Sequence, residues 1–129
     1  MDNWQNRWAR NKYWVMARSQ HLYDEGRFLA KNNNWSPDKE ATFNKILRTA
    51  EALQPTQKTL ANTYQHIWGY FKRTCTPEEK RTYLALLKEL TPKNDQLGFF
   101  LQQMAEKYRV GYLLNSRLLK ECFNRSDLI

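Results

Sequence analysis

The chain has little of what several function classes require. Its two cysteines, Cys75 and Cys122, stand far apart without C-x-x-C spacing, so neither a zinc site nor a disulfide framework is indicated. A reduced setting, and with it a cytoplasmic location, is the expectation. There are only two histidines, His21 and His66, and with the scattered acids they form no recognisable metal set. No G-x-S-x-G, phosphate-cradling glycine loop or H-E-x-x-H occurs, so no catalytic residue, metal or cofactor is assigned. No apolar run approaches the roughly 20 residues that span a bilayer, and the opening MDNWQNRWARNKYWV has no apolar leader core. A soluble, unprocessed protein without a membrane partner is expected.

What is present supports a core. The 129 residues are 41% apolar and 14% aromatic, with four glycines and four prolines, enough for one globular domain over 1–129. Lys and Arg number 21 against 13 acids, a net charge of +8, which favours polyanionic partners. A basic domain with a merely solvated surface stands beside that reading.

The periodicity is helical almost throughout and predicts an all-α, compact single-domain bundle of about six helices. Trp4, Trp8 and Val15 recur at near-helical spacing, and a segment from about Gln20 to Lys31 follows a capping Ser19; the two form either a bent helix or a tight pair. Asn32, Asn33 and Asn34 break the pattern. Ser36-Pro37-Asp38 restarts it with a cap and a proline at the first helical position, for a helix to about Leu53 with Phe43, Ile46, Leu47, Ala50 and Leu53 inward. Thr76 with Glu79 makes a capping box, and Tyr83, Leu84, Leu87 and Leu90 form the stripe behind it. Leu97, Phe100, Leu101, Met104 and Tyr108 form another; Gly111 interrupts, and Ser116 caps a short last helix.

The stretch KTLANTYQHIWGYFKR, residues 58–73, divides most sharply. At about 100° per residue, Leu60, Tyr64, Ile67 and Phe71 share a narrow arc beside Trp68, and form a core stripe. Lys58, Asn62, His66, Gly69 and Arg73 take the opposite arc, with Gln65 and Lys72 on its edge. An exposed glycine in mid-helix costs about 1 kcal/mol relative to alanine. Either a second helix packs closely at Gly69, or a ligand approaches there. A histidine on a polar arc is commonly just solvated, so His66 alone decides nothing.

Charge adds to this. No acid separates Asp2 from Asp24, Glu51 from Glu78, or Glu106 from Glu121, while Arg7, Arg10, Lys12, Arg18, Lys58, Lys72, Arg73, Lys107, Arg109, Arg117 and Lys120 fall in these windows. If the windows converge in space, they form the one-signed face that phosphate binding requires.

KYWVMARSQHLYDEGRFLA (residues 12–30), PTQKTLANTYQHIWGYFK (residues 55–72) and TPEEK (residues 76–80) resemble the signature of the YbgA-like domain. Its first pattern falls on Met16, Ala17, Arg18, Ser19, His21, Tyr23, Gly26 and Arg27. The second falls on Thr56, Lys58, Ala61, Asn62, His66, Gly69, Tyr70, Phe71 and Lys72. Residues 107–121 resemble the family less closely, Tyr112 to Ser116 standing in place of a proline-rich patch. The domain, catalogued as one of unknown function, occurs alone or fused to a thiouracil desulfidase domain, where it is understood to hold tRNA. The resemblance therefore implies binding of tRNA or another structured RNA, with a desulfidase domain as the partner that removes sulfur from thiolated uridine in trans. The cysteines of a desulfidase cluster are missing here.

The binding face is expected at Arg18, His21, Arg27, Lys58, Asn62, His66, Gly69, Lys72, Arg73 and Arg109. Two alternatives remain. Exposed aromatics suit a protein-interaction or DNA-repair accessory domain, and His66 or Tyr70 suits acid–base work in an independent enzyme.

Overall fold

Side-chain caps place the helix starts. In the computed structural model, which describes residues 4–31 and 34–127, with side chains up to Cys122, eight helices are formed. They are α1 (Trp4–Met16), α2 (Gln20–Ala30), α3 (Pro37–Glu51), α4 (Gln57–Trp68), α5 (Pro77–Lys88), α6 (Gln96–Lys107), α7 (Gly111–Leu114) and α8 (Arg117–Asp127). Ser19, Ser36, Thr56, Thr76 and Asp95 each accept a backbone N–H from the first turn of the helix they precede. Among the described residues there is no strand, only an isolated bridge between Thr91 and Asn94 that closes the turn before α6. Two of the expected breakpoint residues, Asn32 and Asn33, and the window boundary Asp2 lie outside the described residues.

α1 and α2 are a tight pair rather than a bent helix. A Cβ on Gly26 would lie 2.3 Å from the Trp8 ring, so the glycine is what permits this crossing. One apolar cluster joins α1, α4, α6 and α8, with Trp14, Tyr64, Ile67, Phe71, Leu101 and Leu119 within it. Trp68 stacks on Tyr83 at 4.2 Å and 3°, which docks α5.

The centre of the bundle also holds a polar knot. Tyr64 donates to Asp95 Oδ2 at 2.5 Å and lies 3.4 Å from Cys122 Sγ. Asp95 Oδ1 in turn caps Gly98 N–H at 2.9 Å. A Cβ on Gly98 would come within 2.6 Å of the Tyr64 hydroxyl. Burial, and then the neighbouring Cys122 and Asp95, push the Tyr64 hydroxyl well above its ordinary range, so it remains a donor.

Several ends differ from expectation. α4 stops at Trp68, and Gly69 is its C-cap with ordinary right-handed torsions, not a mid-helix residue. Tyr70 and Phe71 continue as tight turns, donating to Ile67 and Trp68, which buries Phe71 against Tyr108 at 6.0 Å. α3 ends at Glu51, leaving Leu53 exposed beyond its cap. Leu84 is exposed because α5 packs chiefly on α6 and buries only a narrow stripe. The Ser116 carbonyl accepts from Lys120 at the start of α8, yet its buried hydroxyl finds no partner among the described residues, so it is not a side-chain cap. Gly111 opens the one-turn α7 instead of only interrupting a pattern.

Candidate nucleic-acid interface

Three segments distant in sequence meet around two aromatic groups. At the first, the buried Trp14 ring of α1 carries the Arg18 guanidinium at 4.1 Å and that of Arg117, from α8, at 3.7 Å. Arg117 also donates to Asn11 at 3.2 Å. At the second, Lys12 lies 5.0 Å from the Tyr13 ring and 4.8 Å from that of Tyr112. Tyr112 stacks near-parallel with Tyr70 at 6.2 Å, and the Tyr70 and Tyr13 hydroxyls are 3.4 Å apart. Tyr70 and Tyr112 remain 41% and 40% exposed, so the cluster reaches the surface. Burial and the Tyr70 hydroxyl raise the Tyr13 hydroxyl far above its usual range, and it stays protonated.

α4 joins the edge of this region. Asn62 donates to Gln20 at 2.9 Å, beside the turn that carries Arg18. Lys58 and His66, one turn before and after Asn62, are exposed. Lys72 and Arg73 are exposed in the turn after α4, next to Tyr70. Arg109 is exposed at the end of α6, beside Tyr108, whose ring contacts Phe71.

His21 and Arg27 are not brought to this face. His21, 80% exposed, pairs with Glu25 at 2.9 Å and borders a hollow with Thr42 and Lys45 of α3. Arg27 borders another hollow with Trp8, Asp24 and Phe28. At Gly69 no second helix approaches among the described residues, where an added Cβ would meet only the His66 carbonyl, at 3.0 Å.

The windows are less purely basic in space than in sequence. Glu40 reaches Arg7 at 3.4 Å, Glu79 reaches Lys107 at 2.6 Å, and Glu121 reaches Arg117 at 3.3 Å. Lys12, Tyr70, Tyr112 and Asn11 were not singled out by periodicity. One signal was available: Gly69-Tyr70 and Gly111-Tyr112 are two Gly-Tyr pairs inside acid-free windows.

Among the described residues, no group of three or more His, Cys, Asp or Glu is placed to hold a metal ion, and no helix is long and apolar enough to cross a membrane. A family model described as a protein of unknown function, DUF1722, matches residues 12–122. No curated protein and no solved structure matches the chain.

Proposed function

The chain belongs to the DUF1722 family, the YbgA-like domains whose motifs it carries, and from that premise we propose that it binds structured RNA, tRNA above all, through a basic and aromatic face. The observation that carries the reading is the meeting of Arg18, Arg117, Lys12, Tyr70 and Tyr112, from three separate windows, around Trp14 and Tyr13. Phosphates pair with the cations, and the exposed rings offer stacking surfaces. Lys58, Asn62, His66, Lys72, Arg73 and Arg109 extend the face, and Gly69 leaves room for a close approach. In this role the domain presents tRNA to a desulfidase acting in trans and performs no chemistry itself.

The test uses purified chain and cellular tRNA, alone and with a desulfidase domain. Tight tRNA binding without nucleoside change by the chain alone is expected, read by gel shift and by mass spectrometry of nucleosides. His66→Gln keeps a donor and an acceptor, so it should weaken binding by no more than about 1.5 kcal/mol. A nucleoside change made by the chain alone, and abolished by His66→Gln with binding intact, contradicts the binding-module reading.

One observation favours protein docking as a second reading: Phe28 stands 70% exposed between hollows lined by Trp8 and Leu29. Phe28→Ala should leave tRNA affinity unchanged if RNA occupies the other face.

A further inference from the structure

Phe28 is the most exposed large apolar residue among those described, at 70%. On α2 it stands about 160° around the helix from Gly26, at 100° per residue, and so points away from the crossing with α1. A hollow lies on each side of it. One, of about 520 Å³, has Trp8 and Ala30 as apolar walls and Asp24, Arg27 and Lys31 at its rim. The other, of about 340 Å³, runs along Leu29 toward Thr42 of α3 and has Glu25 at its rim. Charge along α2 is ordered, with Asp24 and Glu25 before Arg27 and Lys31, and it sums to zero. Asp24 accepts from Gln20 and Glu25 pairs with His21, both one turn away on the same helix, and the neutral Gln20 amide leaves Asp24 its charge. Arg27 and Lys31 are exposed and have no ion pair among the described residues.

We propose that α2 joins two copies of this chain about a two-fold axis. The helices cross antiparallel beside Phe28, each Phe28 ring enters the other copy's hollow between Trp8 and Ala30, and Asp24 of each copy faces Lys31 of the other. The occupant follows from the face itself. A two-fold contact needs a surface that complements itself, and α2 carries the knob, the hollow and both signs of charge in the order that an antiparallel copy matches. Two molecules that each carry a net charge of +8 repel across their basic surfaces, whereas the charge-balanced α2 lets them approach. Eleven residues make a helix of about 16 Å, which offers less than the roughly 800 Å² per partner of a standard interface. The dimer is therefore a weak one that forms and separates with concentration. It does not depend on RNA binding.

The experiment is sedimentation equilibrium of the purified chain, freed of nucleic acid, over a wide concentration series at low salt. Wild type should pass from monomer to dimer as concentration rises. Phe28→Ala, an exposed change whose intact fold is checked by circular dichroism, should weaken the dimer by about 100-fold, since each dimer loses two buried rings. Asp24→Lys and Lys31→Glu should each weaken it by about fivefold, because two like-charged pairs replace two opposite ones. An equimolar mixture of those two variants should recover the dimer as a heterodimer in which every pair is again opposite. A mixture no better than its components overturns the antiparallel pairing. A chain that stays monomeric at every concentration, or a dimer that Phe28→Ala leaves unchanged, overturns the second copy as occupant and leaves the face to a helix of another protein or an apolar small molecule.

Discussion

Arg109 holds a left-handed backbone, φ 55°, just past the end of α6. Val110 N–H reaches the Ala105 carbonyl at 2.9 Å and Arg109 N–H the Glu106 carbonyl at 3.3 Å, the paired bonds of a helix stop in which glycine is the usual occupant. A non-glycine residue there costs about 1–2 kcal/mol, partly offset by the extra chain entropy glycine would lose. Arg109→Gly should therefore raise unfolding free energy by about 0.5–1 kcal/mol while weakening tRNA binding, measured by urea melts and gel shift. A stabilised variant with undiminished affinity would remove Arg109 from the face. The reverse pattern is expected elsewhere. Phe71→Ala should cost about 3–5 kcal/mol because the ring is fully buried, and Lys58→Ala no more than about 0.5 kcal/mol while lowering affinity. Equal melting losses for the two would contradict the assignment of core and face.

Helix starts were legible because caps are local. Ser19, Ser36 and Thr76 each act within three residues of themselves and each was expected, whereas Thr56, read only as part of a break and a motif, caps α4 in the same way. The Ser116 cap was expected too, but its hydroxyl is buried instead. Helix ends were less legible because tertiary packing sets them: α4 stops at Trp68 where Phe71 turns inward to Tyr108, and no periodicity encodes that partner. The same holds for the site, since Glu40 and Glu79 reach basic windows from other places in the chain, whereas Glu121, the boundary of the third window, pairs with Arg117 one turn away. Gly26, read only as part of a motif, proves to be a packing residue. Gly26→Ala should cost about 1–3 kcal/mol by driving a methyl group into Trp8, a loss read in a thermal melt; an unchanged melt would mean that α1 and α2 can separate without penalty.

The α5–α6 junction makes a further prediction at this scale. Glu79 receives Lys107 at 2.6 Å, the Tyr108 hydroxyl at 2.5 Å and Thr76 N–H at 2.9 Å. Those bonds, Lys107 first and then Tyr108, pull its carboxyl from 4.5 down to about 2. A carboxylate depressed by folding stabilises fully above its unfolded value and loses that contribution as pH falls through the folded one. Stability should thus decline between about pH 4.5 and pH 2, and Glu79→Gln should flatten that limb in unfolding curves taken across pH. An acid limb unaltered in Glu79→Gln would mean other groups govern it.

At the scale of the molecule, the fold brings the first and third windows together at Trp14 and residues of all three at Tyr112, and on the proposed reading this is what gathers part of the +8 net charge into a face. Periodicity could give the all-α class and most of the core, since both follow from residues three and four apart. Which cations share a surface depends on how α1 crosses α8, and that is a tertiary fact. The most direct test of the account is the salt dependence of tRNA affinity. With about five phosphates contacted, log Kd against log salt should be linear, the binding constant falling with a slope of about −3 to −5, and each neutralised cation of the face should reduce that slope by about 1. An affinity independent of salt, or no affinity for any RNA, would contradict it.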